Sequence, residues 1–168
     1  MAEWVIERLK SSHERAEFSC GQPSLDGFLR TLVSQYEKRR LGRTFVATEP
    51  GQTRVAGYYT LAAGSFAVSV LPAAERKKLP QHPVPMIHLG RLAVDTAYRG
   101  QGLGETLLVH ALRTALGISE KLGTFAVDVQ AIDEEAQRFY RKYGFLALAD
   151  DPLHLYLPMK AIAATFST

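Results

Sequence analysis

Three glycines in five residues, Gly100, Gly102 and Gly104, join an apolar stretch at residues 87–94 to a segment with helical periodicity. In that segment Leu103, Leu107, Leu108, Ala111, Leu112, Ala115 and Leu116 share one face. The first stretch reads as a strand and the second as an amphipathic helix, expected to end near Gly123 at a C-terminal cap. Few folds accommodate such a junction. A helix entered through glycine bares its first N–H groups and the positive end of its dipole, and glycine lets an anion approach the backbone closely. Residues Arg99, Gly100, Gln101, Gly102, Leu103, Gly104 and Glu105 are therefore a candidate seat for a phosphate group, with Arg99 adding charge at the mouth. Other phosphate loops fit badly. Glu105-Thr106 stands where a P-loop needs Lys-Ser/Thr, and Gly100-x-Gly102-x-Gly104 is not the Gly-x-Gly-x-x-Gly of a dinucleotide fold.

Around this junction the pattern predicts short strands first. Residues 4–9, 44–49 and 55–66 read as strands, the last two forming an antiparallel hairpin through Pro50-Gly51-Gln52-Thr53. Between the first two, Leu25, Phe28, Leu29, Leu32, Val33 and Tyr36 mark a helix over residues 25–39. Pro72, Pro80, Pro83 and Pro85 break up the next segment, leaving room for one short helix at 73–78. Downstream, Phe125, Val127 and Val129 alternate as a strand, Asp133 opens a helix that Gly144 stops, and Leu153, Leu155 and Leu157 form the last strand. The order predicts a mixed α/β (α+β) layer structure, one domain over residues 1–168.

Composition excludes several classes. No apolar run reaches the roughly 18 residues needed to cross a bilayer, so no membrane partner is expected. Met1-Ala2-Glu3-Trp4 opens without a basic region followed by an apolar stretch, and Cys20 is the single cysteine, so neither a secretory leader nor a disulfide framework is expected. A cytoplasmic address follows by elimination. A net charge of +3 and pI near 9.1 permit a polyanionic partner without requiring one.

The loop resembles the Arg/Gln-x-x-Gly-x-Gly/Ala loop of the GNAT superfamily of acetyltransferases. Leu92-Ala93-Val94 stands where that family's splayed strand pairs with the pantetheine arm, and Phe139-Tyr140-x-x-Tyr143-Gly144-Phe145 looks like its Phe-Tyr-x-x-x-Gly-Phe signature. The resemblance implies a mostly antiparallel central sheet with a splayed strand and helices on both faces. It also implies acetyl-CoA as co-substrate, no metal, and coenzyme contacts from Leu92, Ala93, Val94, residues 99–105, Asp133 and Phe139. Relatives often carry Asn at the Asp133 position; Asp accepts but does not donate, and N-capping is its alternative role.

Acetyl transfer needs a neutral amine, a positioned thioester and a proton for the departing thiolate. A thiol has a pKa of about 8.5 and a phenol of about 10, so modest tuning lets a tyrosine serve. The family resemblance assigns that role to Tyr140, the alternative being a packing tyrosine; backbone N–H groups around Leu92 to Val94 would polarise the carbonyl. A general base is less obvious: the strand before the loop offers His88 and, at its end, Asp95. An α-amine, with a pKa near 7.7–8.0, needs less help than a lysine near 10.4, which favours an α-amine acceptor. Cys20 has no evident partner beyond His13 upstream, so direct transfer is expected rather than an acyl-cysteine.

The N-terminal half narrows the resemblance. Phe18-x-Cys20-Gly21, Leu25-Asp26-x-x-Leu29, residues 43–47 and 57–61, Leu89-Gly90-Arg91-Leu92-Ala93-Val94-Asp95 and the tail from Asp151-Pro152 to Leu157-Pro158 look like the toxin branch of bacterial toxin–antitoxin modules. That implies acetylation of aminoacyl-tRNA, a homodimer and a ribbon–helix–helix antitoxin as partner. Lys38, Arg39, Arg40 and Arg43, then Arg76, Lys77 and Lys78, form two basic clusters suited to RNA phosphates, and Arg91 is a candidate guide for the tRNA end. The two clusters also read as ordinary helix-end or surface charge, and Arg91 as a structural pair. The rivals are a GNAT enzyme acting on a small amine or protein terminus, and a non-catalytic acyl-CoA-binding module.

Overall fold

The computed structural model describes residues 3–166, so Met1 and Ala2 of the leader reading lie outside the described residues. Seven strands run β1 (Val5–Arg8), β2 (Arg43–Thr48), β3 (Gly57–Phe66), β4 (Val84–Val94), β5 (Ala126–Gln130), β6 (Leu146–Ala147) and β7 (His154–Pro158). The helices are α1 (Pro23–Gly27), α2 (Val33–Lys38), α3 (Ala73–Arg76), α4 (Leu103–Ser119), α5 (Glu134–Lys142) and α6 (Met159–Phe166). The strands form one sheet in the order β1-β2-β3-β4-β5-β7-β6. β1–β2, β2–β3, β5–β7 and β6–β7 pair antiparallel and β4–β5 parallel, the mixed, mostly antiparallel arrangement expected. The chain divides into two compact units, Met1–Ala62 with Gly90–Ala111 and Ala63–Leu89 with Leu112–Thr168. β3, β4 and α4 each run from one into the other.

In the first unit the expected helix over 25–39 is present but not uniform. Pro23 starts it with a preset φ, and one π turn (Phe28–Leu32) lies between α1 and α2, closed by the Val33 N–H donating to the Phe28 carbonyl. The helix buries Phe28, Leu29 and Val33 against Phe18, Val46, Val55, Tyr58 and Ala93. Close packing here depends on Gly57. A Cβ at that position would stand 2.8 Å from Leu107 Cδ1, 3.0 Å from the Ala93 carbonyl oxygen and 3.1 Å from Leu103 Cδ2. A backbone oxygen cannot step aside, so Gly57→Ala is expected to cost about 1–3 kcal/mol in urea denaturation. A variant as stable as the parent would disprove that packing.

The second unit has its own core, with Val68, Leu71, Val84, Met86, Ala126, Leu148 and Tyr156 buried together. Here the alternation in residues 125–129 understated the burial. Ala126, Val127, Asp128 and Val129 are all buried, because β5 is an interior strand covered on both faces. The expected cap at Gly123 is corrected. α4 ends at Ser119, where the Ser119 hydroxyl donates to the Leu116 carbonyl at 2.6 Å, and Lys121 and Leu122 N–H groups close turns onto Ile118. Gly144 does stop α5, with φ +95°. Strand β6 and helix α6 have no periodic signal of sufficient length in the sequence.

Candidate active site

The glycine loop has the geometry its sequence implied. Gly100 and Gly102 have φ of +78° and +76°, a region L side chains rarely adopt, and a Cβ on either would meet nothing within 4 Å. The first helical bond of α4 is the Thr106 N–H to the Gly102 carbonyl at 3.1 Å, so the N–H groups of Leu103, Gly104 and Glu105 precede the bonded ladder. Leu103 is buried and anchors the turn, while Gly100, Gln101, Gly102 and Glu105 are exposed. Open backbone, positive φ and a 17-residue helix behind it suit a diphosphate. The Arg99 side chain reaches back and donates to the Cys20 carbonyl, tying the loop to the N-terminal segment.

Asp95 fixes the other side of this loop. It is buried, and its carboxylate accepts from Ser19 N–H at 3.0 Å and Ala97 N–H at 2.8 Å, with Arg54 at 3.6 Å. It is a structural pin, which removes it as the general base. Cys20 is equally occupied. Burial first, then the hydrogen bond with Asp26, pushes its thiol up to about 11, so the thiolate needed for an acyl-cysteine is suppressed. The His13 Nδ1 accepts the Lys10 N–H at 2.9 Å instead of serving Cys20.

Strand β4 supplies an open face. From Ile87 onward, Ile87, Leu89 and Ala93 are buried, whereas His88, Gly90, Leu92 and Val94, on the alternate side, are partly exposed; Val84 and Met86, earlier on that side, are buried. His88 stands four residues before Leu92 on that open side, with its Nδ1 2.9 Å from Asp128 Oδ2.

In the second unit, α5 carries Tyr140. Asp133 caps the helix by accepting the Ala136 N–H at 2.9 Å, the alternative role weighed for it. Tyr140 is buried, its ring edge-on to Phe139 at 5.2 Å and to Phe145 at 5.5 Å, while Phe139 also contacts Tyr143 at 5.2 Å. Burial raises the Tyr140 phenol well above the usual tyrosine range. The tuning thus keeps the proton on the phenol. Such a group assists a departing thiolate chiefly by donating a hydrogen bond to it.

The basic residues divide by environment. Arg40 is the one non-glycine residue with positive φ among those described, at +59°, closing α2 with the Leu41 N–H on the Tyr36 carbonyl. Glycine is the low-cost residue at this kind of helix end, so an arginine here is held at some local strain. Lys38, Arg39 and Arg40 are exposed. Arg43 differs. Its guanidinium is drawn to the Glu37 carboxylate at 3.3 Å, which it shares with Arg8 at 2.9 Å, so it is held in place by an ion pair rather than extended to solvent. Arg76, Lys77 and Lys78 are exposed at the end of α3, Arg76 donating to the Ser69 carbonyl at 3.3 Å. Arg91 lies over the Phe28 ring at 3.6 Å and near Tyr36 at 5.3 Å, its flat face occupied and its rim of N–H donors directed in plane.

Sequence reading missed Asp128, His154 and Asp150, which join His88 in a hydrogen-bonded line. The one available signal was an aspartate inside an apolar strand, Ala126-Val127-Asp128-Val129, where an unpaired charge would be costly. Among the described residues no group of three or more His, Cys, Asp or Glu is arranged to hold a metal, and no helix is long and apolar enough to cross a membrane.

A family profile described as an acetyltransferase (GNAT) domain matches residues 40–146. A protein named tRNA-acetylating toxin from Mycobacterium tuberculosis is 39% identical over 153 residues, covering 91% of this chain and 90% of that protein. Among solved structures, AtaT complexed with acetyl-methionyl-tRNAfMet superposes with a TM-score of 0.90 at 31% identity, covering 98% of this chain and 100% of that one. A Tyr-to-Phe mutant of AtaT bound to the C-terminus of the antitoxin AtaR and acetyl-CoA gives 0.84 at 29% identity, over 98% and 99%. With its glycine-opened helix, buried signature tyrosine and likeness along nearly its whole length, the chain belongs to the GNAT acetyltransferases, in their toxin branch.

Proposed function

We propose that this chain transfers the acetyl group of acetyl-CoA to the α-amine of aminoacyl-tRNA and so blocks translation. The observation that carries the reading is likeness over nearly the full chain to AtaT holding acetyl-methionyl-tRNAfMet, the product of that reaction. The chemistry agrees. The first-turn N–H groups of α4 and the glycines at 100 and 102 seat the coenzyme diphosphate, and the β4 backbone from Leu92 to Val94 pairs with the thioester arm. Tyr140 donates to the departing sulfur. An α-amine is substantially neutral near physiological pH and attacks with little deprotonation. Residues 1–168 work as one functional domain, since β3, β4 and α4 run unbroken through both compact units. The chain acts in the cytoplasm, where charged tRNA is found, as a homodimer restrained by a ribbon–helix–helix antitoxin.

The direct test is incubation with labelled acetyl-CoA and charged bulk tRNA, with label expected in the aminoacyl moiety. Label appearing in a polyamine or a peptide terminus, with none in tRNA, would move the acceptor to the first rival class. No thiol release with any amine would make the chain a binding module.

The exposed cations give a second expectation. Neutralising Arg39, Arg40, Arg76 and Lys77 together should lower the slope of log affinity for tRNA against log salt by up to about 3, as counterion release from four phosphates would predict. Fluorescence anisotropy at several salt concentrations measures it. An unchanged slope would place the RNA contact elsewhere.

A further inference from the structure

Four side chains of the second unit form an unbroken hydrogen-bonded line. His88 Nδ1 lies 2.9 Å from Asp128 Oδ2, the same oxygen lies 2.9 Å from His154 Nε2, and His154 Nδ1 lies 3.0 Å from Asp150 Oδ2. Strand pairing builds it: His88 sits directly across from Asp128 in the β4–β5 pair, and His154 lies on β7, antiparallel to β5. Side-chain exposure runs from 34% at His88 through 0% at Asp128 and 5% at His154 to 42% at Asp150, so a buried centre connects two open ends.

Proton bookkeeping fixes the states. Ionised carboxylates only accept, and His154 has one at each ring nitrogen, so both nitrogens carry protons and the ring is an imidazolium. The hydrogen bond with Asp128 holds the His154 pKa up against burial, with Asp150 adding to it. Burial works to raise Asp128, but the bonds from His154 and His88 outweigh it and keep the carboxyl below its usual range. Asp128 therefore presents an acceptor to His88, which donates from Nδ1, so in the neutral ring Nε2 is the nitrogen left to accept. With two carboxylates and one imidazolium the line carries one net negative charge, and a proton arriving on His88 neutralises it.

We propose that Asp128, His154 and Asp150 are positioning residues that hold His88 in its Nδ1–H form, so that Nε2 receives the proton shed by the acceptor nitrogen during acetyl transfer. The proposal rests on the acetyl-transfer reading above. His88 shares the open face of β4 with Leu92 and Val94, whereas Asp95 is spent as a pin. The amine lone pair forms the C–N bond to the thioester carbon, the C–S bond breaks, the extra N–H proton passes to His88 Nε2, and the thiolate is held by the Tyr140 hydrogen bond until it takes a proton from solvent. His88 returns its proton to solvent, so the amine and thioester become amide and thiol with no net proton change.

Side-chain nitrogen NMR of the intact protein at neutral pH is expected to show two protonated ring nitrogens on His154, and on His88 a protonated Nδ1 with a bare Nε2. Asp128→Asn should erase that preference at His88, cut kcat by about tenfold or more, and displace the acid limb of the kcat profile, leaving acetyl-CoA affinity within about twofold. If Asp128→Asn does not fold, Asp150→Asn at the exposed end carries the test, with a lowered His154 titration midpoint and a smaller loss of kcat. The pH dependence of folding gives an independent readout. Because the folded His154 pKa is raised, its contribution is complete below the unfolded value near 6.5 and fades as pH rises through the folded one. The groups facing it are Asp128, Asp150 and Asp151, with the Phe66 ring tilted against it at a centroid distance of 4.9 Å. His154→Gln should abolish that alkaline decline. A bare nitrogen on His154 at neutral pH, or wild-type kcat and pH profile in both aspartate variants, would overturn the proposal. Wild-type transfer to charged tRNA, scored in the same series, reports on the acceptor reading separately, because the spectra require no acceptor.

Discussion

Replacing Tyr140 by Phe is expected to lower turnover by about 10²-fold or more while leaving acetyl-CoA affinity nearly unchanged. The substitution removes one oxygen and keeps the ring, whose edge contacts with Phe139 at 5.2 Å and Phe145 at 5.5 Å survive. The fold therefore loses little, and a fall in rate reports chemistry rather than collapse. The phenol's raised pKa sharpens the expectation. A group held protonated by burial gives no alkaline limb until well above the usual tyrosine range, so Tyr140 should not limit the rate near physiological pH. Thiol release under saturating acetyl-CoA gives kcat, and calorimetry gives the binding constant. Undiminished turnover would reduce Tyr140 to a packing residue.

The sequence was informative where function depends on backbone conformation and uninformative where it depends on residues meeting across strands. Gly100, Gly102 and Gly144 could be read directly, because positive φ leaves few residue choices and each sits at a helix boundary. Asp133 was legible for the same local reason, as a cap three residues ahead of the N–H it accepts. The π turn at Phe28–Leu32 was not, since its hydrophobic spacing matches an ordinary helix, yet Phe28 is the ring beneath Arg91. The His88–Asp128–His154–Asp150 line was also hidden. Its members are spread over 67 residues of sequence and meet only through strand register, which a pattern of alternation does not fix. Charge clusters were legible as clusters but not as ion pairs: Glu37 holds both Arg8 and Arg43, and nothing in the spacing foretold that.

Gly102→Asp should weaken acetyl-CoA binding by about 10²-fold or more, near 2.7 kcal/mol, with the protein still folded. Two effects on the free protein oppose each other. A side chain at φ +76° is strained, but aspartate tolerates that region better than most residues, and a Cβ there meets nothing within 4 Å. A carboxylate beside the positive end of α4 is favourable by about 0.3–1 kcal/mol. For the complex the proposed diphosphate seat overrides both terms, because the new charge would stand beside the phosphates and repel them at short range. Gly102→Asn separates charge from shape: it has the same size and the same left-handed backbone without the charge, and should cost about tenfold or less. Calorimetry on the three proteins, with thermal unfolding alongside, decides the matter. Equal losses in Asp and Asn would mean that the loop acts through its shape alone. No loss in either would mean that the helix end, for all its bared N–H groups, does not hold the coenzyme's phosphates.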